Sequence, residues 1–300
     1  MDAILAGLGI GPQSLIGSGA QSWVYGLDAR RVLRILKRPA DATALARLRT
    51  FLDEIDGRLG VPTPVIEAID PAGRYTIERR LAGTSLLTLL PRLRGADRRK
   101  AITAYVAGAE ATGRLALPDR PYGQILAPSP LTAESWSGYF RLSLDFWLAH
   151  NGTAIAEATG DVERVHTNAT ALLGALPERP AKALAHGDYF PGNVLLDERL
   201  ELTGLVDFSV YTLAGDAHYD AITAALFLEM IDEAGAEDVA LARGLVIARH
   251  GEAVLPAARF YRAYAAIVMA DPANAAPPYP RLFAWSVANL KALAAGKMEF

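Results

Sequence analysis

The sequence contains no cysteine. That removes disulfides, thiolate metal sites and cysteine nucleophiles together, and it agrees with a reducing compartment. Histidine is scarce: five are scattered along 300 residues, and no H-E-x-x-H pair occurs among them. Charge of one sign nowhere accumulates. The formal net charge is -3, and the densest basic cluster, Arg98-Arg99-Lys100, reads as a solvated helix face rather than a nucleic-acid footprint. Long hydrophobic runs are missing as well. Segments such as "AITAALFLEMI" are too short to span a bilayer, and the N-terminal "MDAILAGLGIGPQ" carries Asp2 and none of the basic residues that open a secretory leader. These absences together predict a soluble, cytoplasmic protein with no membrane or nucleic-acid partner; oligomeric state leaves no mark.

Apolar residues, by contrast, make up 51% of the chain, enough to bury a substantial core in one large domain or two lobes. The first eighty or so residues read as strands around one helix. "SWVYGLDARRVLRILK" alternates in short apolar bursts about "LDARR", as a hairpin does. Next, Leu45, Leu48, Leu52, Ile55 and Leu59 fall at helical spacing, with Asp41 as the cap and Gly60 as the stop. "VPTPVIEAID" and "GRYTIERRL" are two further strands about the turn Asp70-Pro71-Ala72-Gly73. From Ser85 onward helical patterns dominate: 86–94, 97–115, 134–150, 154–176 and several between 221 and 295. Only 186–210 interrupts them, as loop, "NVLLD", turn and "LTGLVDF". The expected organisation is a small β-rich lobe over residues 1–81, a hinge about 77–84, and a mainly helical lobe over 85–300, which is an α+β fold.

The interruption carries the chemistry. In "HGDYFPGNVLL", polar residues stand at fixed short spacing before a strand; a plain turn between strands also uses Gly, Asp, Pro and Asn. Phosphoryl transfer from a nucleotide requires the phosphates held, metal charge placed between them and the acceptor hydroxyl aligned. Asp188 can take the hydroxyl proton. Asn193 can offer an amide oxygen to Mg²⁺, and Asp207, at the end of "LTGLVDF", returns beside it through hairpin pairing as an anionic ligand. His186 suits a brace for the loop backbone better than a base. Upstream, "LIGSGAQSWVYGL" places Gly17, Ser18 and Gly19 between strands, where backbone N–H groups can approach a phosphate, although a hairpin turn uses glycine too. Basic residues follow at Arg34 and Lys37. They lie on opposite faces of an extended strand, so one of the two can reach the nucleotide. The rival dinucleotide turn "GLGIGP" has Pro12 where a third glycine belongs and opens no helix.

In this order, the glycine loop, "VLRILK", "YTIERRLAGTSL", "HGDYFPGN", "GLVDF" and "GDAHYD" resemble the aminoglycoside phosphotransferase and choline kinase family, whose fold is like that of protein kinases. The resemblance covers nearly the whole chain. It implies ATP and Mg²⁺ as cofactors, Asp188 as the catalytic aspartate, Asn193 and Asp207 as metal ligands, backbone of Ile77, Glu78 and Arg79 as the adenine contact, and a structural role for Asp220. It also implies a lysine where "VLRILK" has Arg34, and a helix carboxylate to pair with it; Glu54 and Asp53 are candidates, yet the spacing puts Arg49 there. A protein kinase is disfavoured, since the loop reads His-Gly-Asp, "VDFS" has no glycine after phenylalanine and no Ala-Pro-Glu follows. A non-catalytic nucleotide-binding module remains the other alternative. The implied reaction is transfer of a γ-phosphoryl group to a hydroxyl of an aminoglycoside, aminosugar or similar small acceptor. For a cationic acceptor, Glu229, Asp232, Glu233, Glu237 and Asp238 offer acids and Tyr279, Phe283 and Trp285 offer rings; the first set also reads as an exposed helix end and the second as core.

Overall fold

A computed structural model describes residues 1–19, 21–275 and 280–300. Helix α1 (Asp2–Gly7) precedes β1 (Leu15–Ser18), β2 (Ser22–Gly26), β3 (Arg31–Leu36), α2 (Ala42–Ile55), β4 (Ile66–Ile69) and β5 (Tyr75–Arg79). The five strands form one antiparallel sheet in the order β1-β2-β3-β5-β4. Tyr25, Leu33 and Ile35 bury one face of it against Leu5 of α1. Asp41 caps α2 by accepting the Thr43 N–H at 3.0 Å, and the apolar stripe read from the sequence turns Phe51, Leu52 and Ile55 into the core of the larger lobe.

The larger lobe contains β6 (Thr84–Ser85), α3 (Leu86–Leu89), α4 (Gly95–Gly113), β7 (Tyr122–Gln124), β8 (Thr132–Ala133), α5 (Trp136–Thr159), α6 (Val162–Leu173) and β9 (Lys182–Ala185). It continues through β10 (Val194–Leu196), β11 (Leu202–Leu205), β12 (Leu213–Asp216), α7 (Tyr219–Glu229), α8 (Ala236–His250), α9 (Leu255–Val268) and α10 (Pro280–Ala294). The fold is therefore α+β with a small antiparallel lobe and a helical lobe. Among the described residues no helix is long and apolar enough to cross a membrane.

Two readings of the helical lobe need correction. The expected break between 150 and 154 does not occur: α5 runs on to Thr159 and stops at Gly160, whose φ of 74° ends the helix in a left-handed turn. Asn151 stays inside because its side-chain amide is buried and donates to the Ile267 carbonyl at 2.8 Å, so a residue that usually favours helix ends is satisfied by a neighbouring helix. Strand structure is also not confined to 186–210. A four-stranded sheet, β8-β7-β12-β9, sits under the helices, its strands too short and too evenly apolar to show alternation.

Candidate active site

The loop between β9 and β10 is held from below. The Asp220 carboxylate accepts the backbone N–H groups of His186 at 2.6 Å and Gly187 at 3.0 Å, and the Thr112 hydroxyl at 2.6 Å. Burial pushes the Asp220 carboxyl up against the pull of His186 and these donors. Asp220 thus anchors the loop. At Gly187 the chain takes φ 79°, and a Cβ there would lie 1.7 Å from the Tyr211 carbonyl oxygen, so no other residue fits. His186 is fully buried, with Nε2 2.9 Å from the Val206 carbonyl; a carbonyl only accepts, so Nε2 carries the proton and donates. The ring packs 4.5 Å from Phe208, which in turn lies 5.8 Å from Phe51 of α2. His186 therefore ties the loop to the segment that bears Asp207.

The register of β10 and β11 brings the predicted metal ligands together. Val194 pairs with Leu205, and the Val206 N–H donates to the Asn193 carbonyl at 2.9 Å, so Asp207 follows one residue beyond Asn193's partner. Asp207 has φ 68°, a left-handed conformation that aspartate tolerates better than most residues and that costs roughly 1–2 kcal/mol. Asn193 Nδ2 donates to the Asp188 backbone carbonyl at 2.9 Å and lies 3.4 Å from Asp188 Oδ2, leaving its amide oxygen uncommitted to either contact. Burial pushes the Asp188 carboxyl up to about 6; His186 and Asn193 pull it down, and the nearby Asp207 charge adds to the rise.

Arg34 and Lys37 part company as strand geometry requires. Arg34 Nε donates to Ser22 Oγ at 3.0 Å and Nη2 pairs with Asp207 Oδ1. Burial works to lower its pKa, but the carboxylates of Asp207 and Glu78 outweigh it and hold the guanidinium above its ordinary value. Lys37 instead donates to the Gly19 carbonyl at 2.6 Å and lies over the Trp23 ring, bracing the loop of Gly17, Ser18 and Gly19 from behind. No helix carboxylate meets Arg34: Glu54 binds Arg120 at 2.6 Å, and Asp53 lies 4.0 Å from the exposed Arg49. The acid on that side is Glu78, buried on β5, with its Oε1 accepting the Thr76 hydroxyl at 2.6 Å. The sequence named Glu78 only for its backbone and missed its side chain; strand alternation from Arg34 across to Thr76 and Glu78 was the signal for it.

The backbone expected to contact adenine is paired within the sheet. Ile77 and Glu78 pair with β3 on one side and β4 on the other, and the Arg79 N–H donates to the Val65 carbonyl at 2.9 Å, so this backbone is committed to the sheet. Arg80 N–H is taken by the Arg30 carbonyl.

The oxygen set of Asn193 and Asp207, beside Asp188, suits Mg²⁺. Among the described residues no group of three or more His, Cys, Asp or Glu could hold a metal alone, and a magnesium ion carried by nucleotide phosphates needs no such group.

Beside Asp188 a cavity of about 290 Å³ opens, reached by Gln21 from the tip of the glycine loop and walled by α5, α7, α9 and the Tyr211 segment. None of the acids proposed for a cationic acceptor lines it. Glu229 is bound by Arg243 at 2.6 Å, Arg262 at 2.5 Å and Trp285 Nε1 at 2.9 Å; Asp238 pairs with Arg98 at 2.7 Å, and Asp232 faces Arg281 at 3.7 Å. Trp285 therefore supports an ion pair, Leu282 rather than Phe283 reaches the cavity, and Tyr279 lies outside the described residues.

The sequence matches the profile of the phosphotransferase enzyme family, APH, over residues 13–261. The chain belongs to the phosphotransferase enzyme family. Among solved structures, the gentamicin complex of APH(2")-IIa superposes with a TM-score of 0.61 at 14% identity, covering 95% of this chain and 92% of that one. Macrolide 2'-phosphotransferase MphH from Brachybacterium faecium gives 0.59 at 16% identity, covering 98% of each chain. The ADP-bound aminoglycoside phosphotransferase APH(2'')-Ib gives 0.57 at 13% identity, with 95% and 93% covered. These likenesses show the kinase-like fold of the family. A search of curated proteins finds no match.

Proposed function

We propose that this phosphotransferase moves the γ-phosphoryl group of ATP to a hydroxyl of a small molecule. The observation that carries the reading is the meeting of Asp188, Asn193 and Asp207, with Asp188 lining a cavity large enough for a compact acceptor. Asp188 holds the acceptor hydroxyl and takes its proton as the oxygen attacks phosphorus. With a carboxyl pushed up to about 6, it is ionised at neutral pH and basic enough to share that proton. Arg34, swung from Asp207, forks onto the nucleotide phosphates, and Glu78 keeps it charged and aligned. The backbone at Gly17, Ser18 and Gly19, braced from behind by Lys37, closes over the phosphates. Asn193 and Asp207 would hold Mg²⁺, which supplies charge neutralisation between the β- and γ-phosphates.

The alternative of a nucleotide-binding module without catalysis has no use for a buried, proton-accepting Asp188 next to the metal ligands. Incubation with labelled ATP, Mg²⁺ and a panel of hydroxy compounds tests the reading. Formation of a phosphorylated acceptor in equal amount to ADP is expected; binding of Mg·ATP with no acceptor phosphorylated across chemically diverse alcohols counts for the module.

A further inference from the structure

Resting on that phosphotransferase reading, we infer that the acceptor is a compact, uncharged hydroxy compound with an apolar or aromatic ring face, and that the site rejects polycations. Of the twenty residues lining the cavity, Asp188 is the one with a charged side chain. Its walls are rings and thioethers, among them Trp147, Tyr211, Phe227, Met230, Tyr264 and Met269. The remaining polar groups are neutral amides and hydroxyls, Gln21, Gln124, Thr223 and Asn274 included, which orient a ligand without attracting charge.

A compound with several ammonium groups has to be desolvated here, and desolvation is offset only by paired carboxylates. None of the other nearby acids lines the cavity. Glu229 and Asp232 are held in ion pairs by Arg243, Arg262 and Arg281, and Asp238 by Arg98. Asp271, close to Tyr211, accepts the Ala273 N–H at 2.9 Å within its own turn. A single cation meets a different obstacle. Drawn to Asp188, it would occupy the carboxylate that has to receive the hydroxyl proton. The rim extends the apolar surface outward: Val210 and Tyr211 are 40% and 39% exposed, where a ring larger than the cavity can rest.

The test compares three probes on the full-length protein at physiological salt: phenyl β-glucoside as the neutral ring compound, choline as the single cation and gentamicin as the polycation. Ligand-observed NMR and tryptophan quenching give the affinities, and Mg·ATP binding is measured in the same samples. Phenyl β-glucoside is expected to bind at least tenfold more tightly than either cation. Met269→Glu, or Asn274→Asp should the first variant fail to fold, places a carboxylate in the wall and is expected to reverse the order for gentamicin. Tighter binding of gentamicin or choline by the wild-type protein, or no binding of the glucoside, overturns the inference while the nucleotide result stands. Failure to bind Mg·ATP overturns the phosphotransferase reading instead.

Discussion

Asp188 carries an energetic cost that its chemistry explains. A carboxylate buried beside Asp207 is unfavourable when ionised, and its native pKa of about 6 lies above the ordinary unfolded value near 4. The native state therefore binds the proton more tightly, so this residue's contribution to stability is complete below pH 4 and is lost as pH rises toward 6. Asp188→Asn removes that loss. The variant is expected to match the wild type in thermal stability below pH 4 and to exceed it by on the order of 2 kcal/mol above pH 6. Thermal melts across this range check it, and a stability gain independent of pH would contradict the assigned environment. Arg34 and Lys37 separate at the same scale. Arg34→Ala deletes the guanidinium paired with Asp207 and is expected to weaken ATP binding by about ten- to a hundredfold, the loss of one or two charge-assisted hydrogen bonds. Lys37→Ala touches only the back of the glycine loop and is expected to change ATP affinity less than about threefold. Equal losses in isothermal titration would undo the distinction.

At the scale of elements, the site is a loop pinned by a helix start and opposed by a hairpin. α7 presents Asp220 in its first turn to two successive loop N–H groups, and the tight turn between them works only with glycine. Gly187→Ala is expected to cost at least about 3 kcal/mol through strain and a backbone clash, and to abolish activity. A folded variant of unchanged melting temperature with normal turnover would show that the loop has another conformation available. Much of this was legible beforehand. Gly, Pro and Asn spacing marked the loop, β-branched and leucine runs marked the hairpin, and antiparallel return placed Asp207 near Asn193. Backbone pairing around Ile77 to Arg79 was not legible, because a strand flanked on both sides looks in sequence like one with a free edge. The continuous α5 was hidden for a similar reason: the partner that satisfies Asn151 lies 116 residues away.

For the whole molecule, the two lobes meet through a chain of contacts from Phe51 to Phe208 to His186, which sets the loop bearing Asp188 against α2. The cavity beside Asp188 is a product of this scale alone. Its wall residues come from α5, α7, α9, α10, β7, β12 and several loops, and the helices are apolar on most faces, so periodicity assigns their rings to core and cannot separate those that face a void. The acid cluster is hard to read for the opposite reason, since sequence shows carboxylates but not the distant arginines that pair with Glu229, Asp232 and Asp238.

The measurement that bears most directly on the account is phosphate transfer from labelled ATP with Mg²⁺, run for wild type and Asp188→Asn at saturating nucleotide, with ATP affinity determined for both. The account predicts transfer by the wild type, a fall of about two to four orders of magnitude in the variant, and ATP affinities within about threefold of each other. Equal turnover in the two proteins, or loss of ATP binding in step with turnover, would contradict the role of Asp188 on which the account rests.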